Sequence, residues 1–188
     1  MLAAGASRRL PGPKQLLRHR GVTLLRHAAE VAVAVAAAGR PVVVVLAAGT
    51  ARLRAELSGL AVRIVENPDA ARGLSTSLRA GLDALCEGRE PDAALFLACD
   101  QPLLTADVLR HIVAAFAASR PPAVACAYAG TVGIPALFAR SLFAELRSLE
   151  GDQGAKRVLE RLGARVARVP FEPGGLDVDT PEDAAGLE

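Results

Sequence analysis

The 188-residue sequence predicts an α/β fold: a Rossmann-like three-layer α/β/α sandwich around a mainly parallel sheet. Two observations carry this. Short runs are continuously apolar and rich in β-branched residues, the pattern of strands covered on both faces. Between them, apolar residues recur at helical spacing. No linker, repeat or low-complexity tract breaks the alternation, so residues 1–188 read as one domain.

The elements follow in order. Met1 and Leu2 alone precede a small-residue turn, so the first strand reads as truncated. Thr23 to Ala38 is an Ala- and Val-rich helix stopped by Gly39-Arg40-Pro41. Pro41 to Leu46 is the clearest buried strand, with Val62–Val65 and Ala93–Ala98 as further strands. Leu74, Leu78, Leu82 and Leu85 form one helical stripe. Val108, Leu109, Ile112, Val113 and Phe116 form another, with Thr105 as its N-cap. Ala123–Tyr128 and Ala164–Val169 complete the strands. Leu142, Phe143, Leu146 and Leu149 give a short helix ended by Gly151, and Asp152 caps a helix that Gly163 closes after Leu162.

Composition excludes several classes. Apolar residues make up 52%, much of it Ala, which predicts tightly packed helices. No Trp and one Tyr leave little for base stacking, and a formal charge of +2 gives no electrostatic footprint for a nucleic acid. No apolar run approaches the ~20 residues that cross a bilayer. Cys86, Cys99 and Cys126 have no metal-ligand spacing; an odd count with no signal peptide predicts buried free thiols and a cytoplasmic protein. His19, His27 and His111 are isolated and read as helix-surface or capping residues.

The chemistry concentrates in a few segments. Leu2-Ala3-Ala4-Gly5-Ala6-Ser7 removes side-chain bulk so that backbone N–H groups can approach an anion, and Arg8, Arg9 and Lys14 follow. Backbone donors beside fixed cations suit a nucleoside triphosphate. The spacing is neither that of a Walker loop nor of a dinucleotide turn. Asp100 ends the strand 93–98, at the edge where open α/β sheets bind ligands, and offers the hard oxygen that Mg²⁺ prefers. Asp177 and Asp179 share a face of a short strand, and Thr180-Pro181 starts a helix whose first turn holds Glu182 and Asp183. Gly73, Ser75, Thr76 and Ser77 join a strand to a helix, with more hydroxyls than one cap uses.

Together these segments resemble the nucleotidyltransferase signature L-A-x-G-x-S-x-R-M-G-x-x-K, through Leu2, Ala3, Gly5, Ser7, Arg9 and Lys14. Leu10 stands for Met, and Pro11 departs from the family Gly. Asp100-Gln101-Pro102, Gly73-Leu74-Ser75-Thr76-Ser77-Leu78 and Asp177-Val178-Asp179-Thr180-Pro181-Glu182-Asp183 resemble further elements, in particular of the molybdenum cofactor cytidylyltransferases. Gly133-Ile134-Pro135 and Gly151 to Lys156 resemble acceptor-side elements, but also read as a turn and a capped helix start. The resemblance implies a nucleotide-diphospho-sugar transferase type of fold. It implies Mg²⁺ held by Asp100 and Asp179, with Arg9, Lys14 and Asp100 in catalytic roles. It also implies a nucleotide held by Leu2, Ala3, Ala4, Gly5, Ser7, Gly73, Ser75 and Ser77. The implied reaction transfers CMP from CTP to the phosphate of molybdopterin, with a molybdenum hydroxylase as the client. The Ala3-Ala4-Gly5 form resembles the cytidylyl branch rather than the guanylyl one. The alternatives are a non-catalytic accessory protein and a relative of the nicotine-blue oxidoreductases. Because the family strand entering at Leu2 is longer, a start a few residues upstream of Met1 is also expected.

Overall fold

A computed structural model describes residues 1–7, 9–36, 40–88, 90–178 and 180–187. Gly39, in the expected helix stop, and Asp179 lie outside them, as does Arg8.

A two-residue hairpin, β1 (Arg18–His19) with β2 (Val22–Thr23), precedes helix α1 (Leu24–Val35). Its turn places Arg20 at φ 52° and Gly21 at φ 81°, both left-handed, as a tight hairpin of this hand requires. Thr23 caps α1 by accepting from the Arg26 amide at 3.3 Å. Strand β3 (Val43–Ala47), helix α2 (Ala51–Glu56) and strand β4 (Arg63–Asn67) follow, and β3 and β4 pair in parallel. Helix α3 (Leu74–Cys86) leads to β5 (Ala93–Phe96), and α4 (Ala106–Ser119) to β6 (Ala123–Tyr128).

The sequence reading missed β7 (Thr131–Ala139), which lies between β5 and β6 and is antiparallel to both. Gly133 and Pro135 hid it, since both normally interrupt strands. The ladder steps from Ala125 opposite Ala136 to Cys126 opposite Gly133, so Ile134 and Pro135 sit in a bulge. A bulged position asks no ladder N–H of a proline. The expected turn at Gly133-Ile134-Pro135 is thus a bulge inside a strand. Helices α5 (Phe143–Arg147) and α6 (Lys156–Leu162) precede β8 (Val166–Pro170), parallel to β6. Asp152 does not cap α6; Ala155 holds that position, while Gly151 and Asp152 lie against Gly73 and Gly154 against Leu74. The last helix, α7 (Pro181–Ala185), carries the expected N-terminus: Thr180 and Asp183 cap one another at 2.8 and 3.2 Å.

The sheet is covered on both faces, which makes three layers. Val44, Leu46, Val124 and Cys126 point into one core with Leu25, Leu109 and Ile112. Ala123 and Ala125 point into another with Leu78, Leu82, Phe143 and Leu159. Alternation along buried strands produces this division.

The amino terminus joins the two halves of the sheet. Leu2 makes parallel bridges to Val45 on one side and Ala98 on the other. The Leu2 amide donates to Leu97 at 2.8 Å, Ala3 to Val45 at 2.9 Å, and Val45 to Met1 at 3.0 Å. The buried Met1 amine donates to the Val43 carbonyl at 2.7 Å, and burial pushes its pKa down to about 5. A single bridge residue therefore occupies the central place, in keeping with the truncated first strand read from the sequence.

Candidate active site

Parallel placement fixes the site. Leu2 and Ala98 run side by side in one direction, so the loop after Leu2 and the segment after Ala98 leave the same sheet edge. Lys14, in a 3₁₀ turn over Lys14–Leu16, reaches Asp100: Nζ lies 2.5 Å from Oδ2, with the side chains 15% and 16% exposed. Two residues 86 positions apart are thus an ion pair at the mouth of the sheet.

The loop between them is closed by its own chemistry. The Lys14 amide donates to Ser7 Oγ at 2.7 Å, and the Leu10 amide to the Ser7 carbonyl at 3.2 Å. Arg9 is exposed on this loop. Neither Gly5 nor Gly12 has a positive φ, and a Cβ on either would meet nothing within 4 Å. Their lack of a side chain leaves open space rather than meeting a backbone demand. The Pro11 departure costs the loop no left-handed residue.

Two glutamines hold this frame: Gln15, which the sequence reading did not single out, and Gln101, which it named only within Asp100-Gln101-Pro102. Gln15 is 3% exposed, and its Nε2 donates to the Ala3 carbonyl at 2.8 Å and the Gly5 carbonyl at 3.0 Å. Gln101 is 2% exposed, and its Nε2 donates to Ile134 at 3.1 Å and Gly174 at 3.0 Å. Each glutamine directly follows one member of the ion pair. That adjacency, a buried amide beside a functional charge, was the available signal. The Val178 amide donates to the Asp100 carbonyl at 3.1 Å, tying the carboxy-terminal segment to the same edge. Tyr128 packs between Gly133 and Gly174, where a Cβ would fall 2.1 Å from its hydroxyl and 2.7 Å from its ring. Burial, then the nearby Asp177, pushes its pKa up to about 12.

The segment 73–77 forms a second cluster. Gly73, at φ 120°, abuts Gly151: a Cβ would lie 2.2 Å from the Gly151 carbonyl carbon. The Ser75 amide donates to the Gly151 carbonyl at 3.1 Å. The close approach that Gly73 permits is to the chain's own backbone. Ser75 and Ser77 are both buried, and Asn67 Nδ2 donates to Ser77 Oγ and Thr76 Oγ1, each at 2.9 Å. Thr76 Oγ1 sits 2.8 Å from the Gly73 carbonyl. So the Thr76 and Ser77 hydroxyls have local partners, and the structure joins two motif segments, 73–77 and 151–154.

The histidines and cysteines take structural places. His27 Nε2 lies 2.9 Å from the Leu104 carbonyl and His19 Nδ1 2.8 Å from that of Leu187. Cys99 and Cys126 are buried free thiols, whereas Cys86 is only half-buried. Burial pushes Cys99 and Cys126 up to about 12. Among the described residues no group of three or more His, Cys, Asp or Glu could hold a metal. The hard oxygen of Asp100 still fits Mg²⁺, which binds through one or two carboxylates and takes its other ligands from water and substrate phosphates. No helix among the described residues is long and apolar enough to cross a membrane.

A small-residue turn and a carboxylate thus stand at adjacent parallel strand ends, in an α/β fold. The chain belongs to the family of the MobA-like NTP transferase domain, which matches residues 1–166. It is 32% identical to the nicotine blue oxidoreductase of Paenarthrobacter nicotinovorans, over 97% of this chain and 91% of that protein. It is 33% identical to the purine catabolism protein PucB of Bacillus subtilis, over 61% of this chain but only 56% of PucB. The manganese complex of Rv0371c from Mycobacterium tuberculosis superimposes with a TM-score of 0.75 at 30% identity, covering 99% of this chain and 94% of the other. A divalent metal is thus bound by a structural relative.

Proposed function

We propose that the protein is a Mg²⁺-dependent cytidylyltransferase that moves CMP from CTP to the terminal phosphate of molybdopterin. The observation that supports this reading is the Lys14–Asp100 pair: a cation suited to phosphate and a carboxylate suited to a metal lie side by side at the mouth of the small-residue loop. In the reaction an acceptor phosphate oxygen attacks the α-phosphorus in line. A new P–O bond forms, the bond to the β-phosphate oxygen breaks, and pyrophosphate leaves with the electron pair. Such chemistry needs positioning and charge neutralisation more than covalent help.

Each residue has a place in that scheme. The amides of Ala4 to Ser7 hold the phosphates, while Leu2 and Ala3 anchor the loop to the sheet. Lys14 turns from Asp100 to the phosphates, and with Arg9 it offsets the charge gathering on the leaving pyrophosphate. Asp100 and Asp179 would hold the metal, which when bound neutralises the α- and β-phosphates. Gly73, Ser75 and Ser77 support the base side through the contact with Gly151. Ala4, where the guanylyl branch tends to Gly, favours CTP over GTP by resemblance to the cytidylyl branch. A molybdenum hydroxylase is the expected client of the product.

The test offers purified protein molybdopterin, Mg²⁺ and either CTP or GTP, with mass detection of the dinucleotide. The cytosine product and a higher kcat/KM for CTP are expected. A preference for GTP would make the enzyme a guanylyltransferase, and no product from either would favour an accessory role. The likeness to nicotine blue oxidoreductase favours one further reading, an oxidoreductase. An absorbance scan of the purified protein, in which bound flavin would be visible, tests it.

A further inference from the structure

We infer that Gln15 is a positioning residue that aims the loop amides at phosphate, an inference resting on the nucleotidyltransferase reading above. The Gln15 amide nitrogen faces two carbonyls, Ala3 at 2.8 Å and Gly5 at 3.0 Å. Both are acceptors, so the side chain must present its NH₂ group there, and both hydrogens are used. The geometry of the peptide unit supplies the rest. In a trans peptide the C=O of one residue and the N–H of the next point in opposite directions. The one cis bond among the described residues is Ile134–Pro135, so both loop units are trans. Drawing the Ala3 and Gly5 carbonyls inward therefore turns the Ala4 and Ala6 amides outward, towards the open side that Gly5 leaves free. The described residues offer no backbone acceptor to the amides of Ala4, Gly5 or Ala6.

Without this clamp either peptide unit could flip. A flipped unit would present a carbonyl oxygen to the phosphates, replacing attraction by repulsion. Gln15 is 3% exposed and spends its amide hydrogens on the loop carbonyls, so it acts through the loop. Its Oε1 is buried with no partner among the described residues, so the two donated bonds are what hold its orientation.

The experiment uses the wild-type protein with Gln15→Met and Gln15→Glu, and two probes, MgCTP and inorganic tripolyphosphate. Calorimetric affinities for both probes should fall by the same factor in Gln15→Met, ~10–100-fold, because the loss is to phosphate alone. Gln15→Glu, which cannot donate twice and adds a negative charge, should lose more. Mn²⁺ binding at Asp100, in the segment beyond β5, should stay within about twofold in Gln15→Met, which a general loosening of the fold would not allow. A second arm needs no variant: in ¹⁵N spectra of the wild type, the Ala4 and Ala6 amides should move downfield as tripolyphosphate is added. Stationary Ala4 and Ala6 resonances in a protein that binds tripolyphosphate overturn the inference. So does a folded Gln15→Met that binds both probes like the wild type. A wild type that binds neither probe overturns the nucleotidyltransferase reading itself.

Discussion

Replacing Lys14 by Met should tighten metal binding while abolishing turnover. The ammonium lies 2.5 Å from the Asp100 carboxylate with both side chains about five-sixths buried, so it occupies the charge that a cation would need. Coulomb attraction at that distance is ~1.7 kcal/mol in a water-like dielectric and ~7 kcal/mol at an effective constant of ~20. Desolvation of two partly buried ions cancels much of it. A charged hydrogen bond nets ~1.5–3 kcal/mol in practice. Methionine keeps the length of the side chain and removes the charge. At ~1.4 kcal/mol per factor of ten, Mn²⁺ affinity in the absence of nucleotide should rise ~10–100-fold. Free Mn²⁺ measured by its paramagnetic resonance signal reads this directly. The melting temperature should fall by ~3–12 °C, since each kcal/mol is worth ~2–4 °C at this size. An unchanged or weaker Mn²⁺ affinity in a folded Lys14→Met would refute the idea that Lys14 and the metal compete for Asp100.

Gly73→Ala combines a strained φ of 120° with a 2.2 Å clash against Gly151, and should cost ~2–5 kcal/mol, read as a lower urea midpoint. Gln101→Leu leaves the Gly174 carbonyl without its side-chain donor and Ile134 with only the Tyr128 hydroxyl at 3.3 Å, and should cost ~1–3 kcal/mol in the same assay, with loss of activity beyond the loss of stability. For pH, the folded pKa values of Cys99 and Cys126 are raised from 9.0 to about 12, so the thiols stay neutral in the fold while the unfolded chain ionises. Their contribution is full below pH 9 and is lost as pH rises towards 12, so melting temperatures should fall across that window and not below it.

Much of the fold was legible because its strands are buried on both faces. The runs 41–46 and 123–128 are continuously apolar; the second became β6 without a shift, and the first became β3, which begins two residues later and ends one residue later. The helical stripe Leu74, Leu78, Leu82 and Leu85 lies on α3 as periodicity required. What could not be read depended on tertiary context. A nine-residue strand containing Gly133 and Pro135 is intelligible only once the bulge opposite Cys126 excuses the proline from the ladder. Gly73 looked like a ligand-approach glycine, and only the fold brings Gly151 against it. Within the site, Ser7, Lys14 and Asp100 were legible as residue types suited to phosphate and metal. Gln15 was not, and Gln101 only as part of a motif, because a buried amide is defined by the carbonyls around it more than by its neighbours in sequence.

The central claim is nucleotidyl transfer at Asp100, and pyrophosphate release tests it most directly. Wild-type protein given MgCTP and molybdopterin should release one pyrophosphate per dinucleotide formed, and release should need both substrates. Asp100→Asn, folded by circular dichroism, should release it at least ~100-fold more slowly, the scale on which lost charge stabilisation acts. No pyrophosphate from any nucleoside triphosphate, or a folded Asp100→Asn turning over at the wild-type rate, would contradict the account.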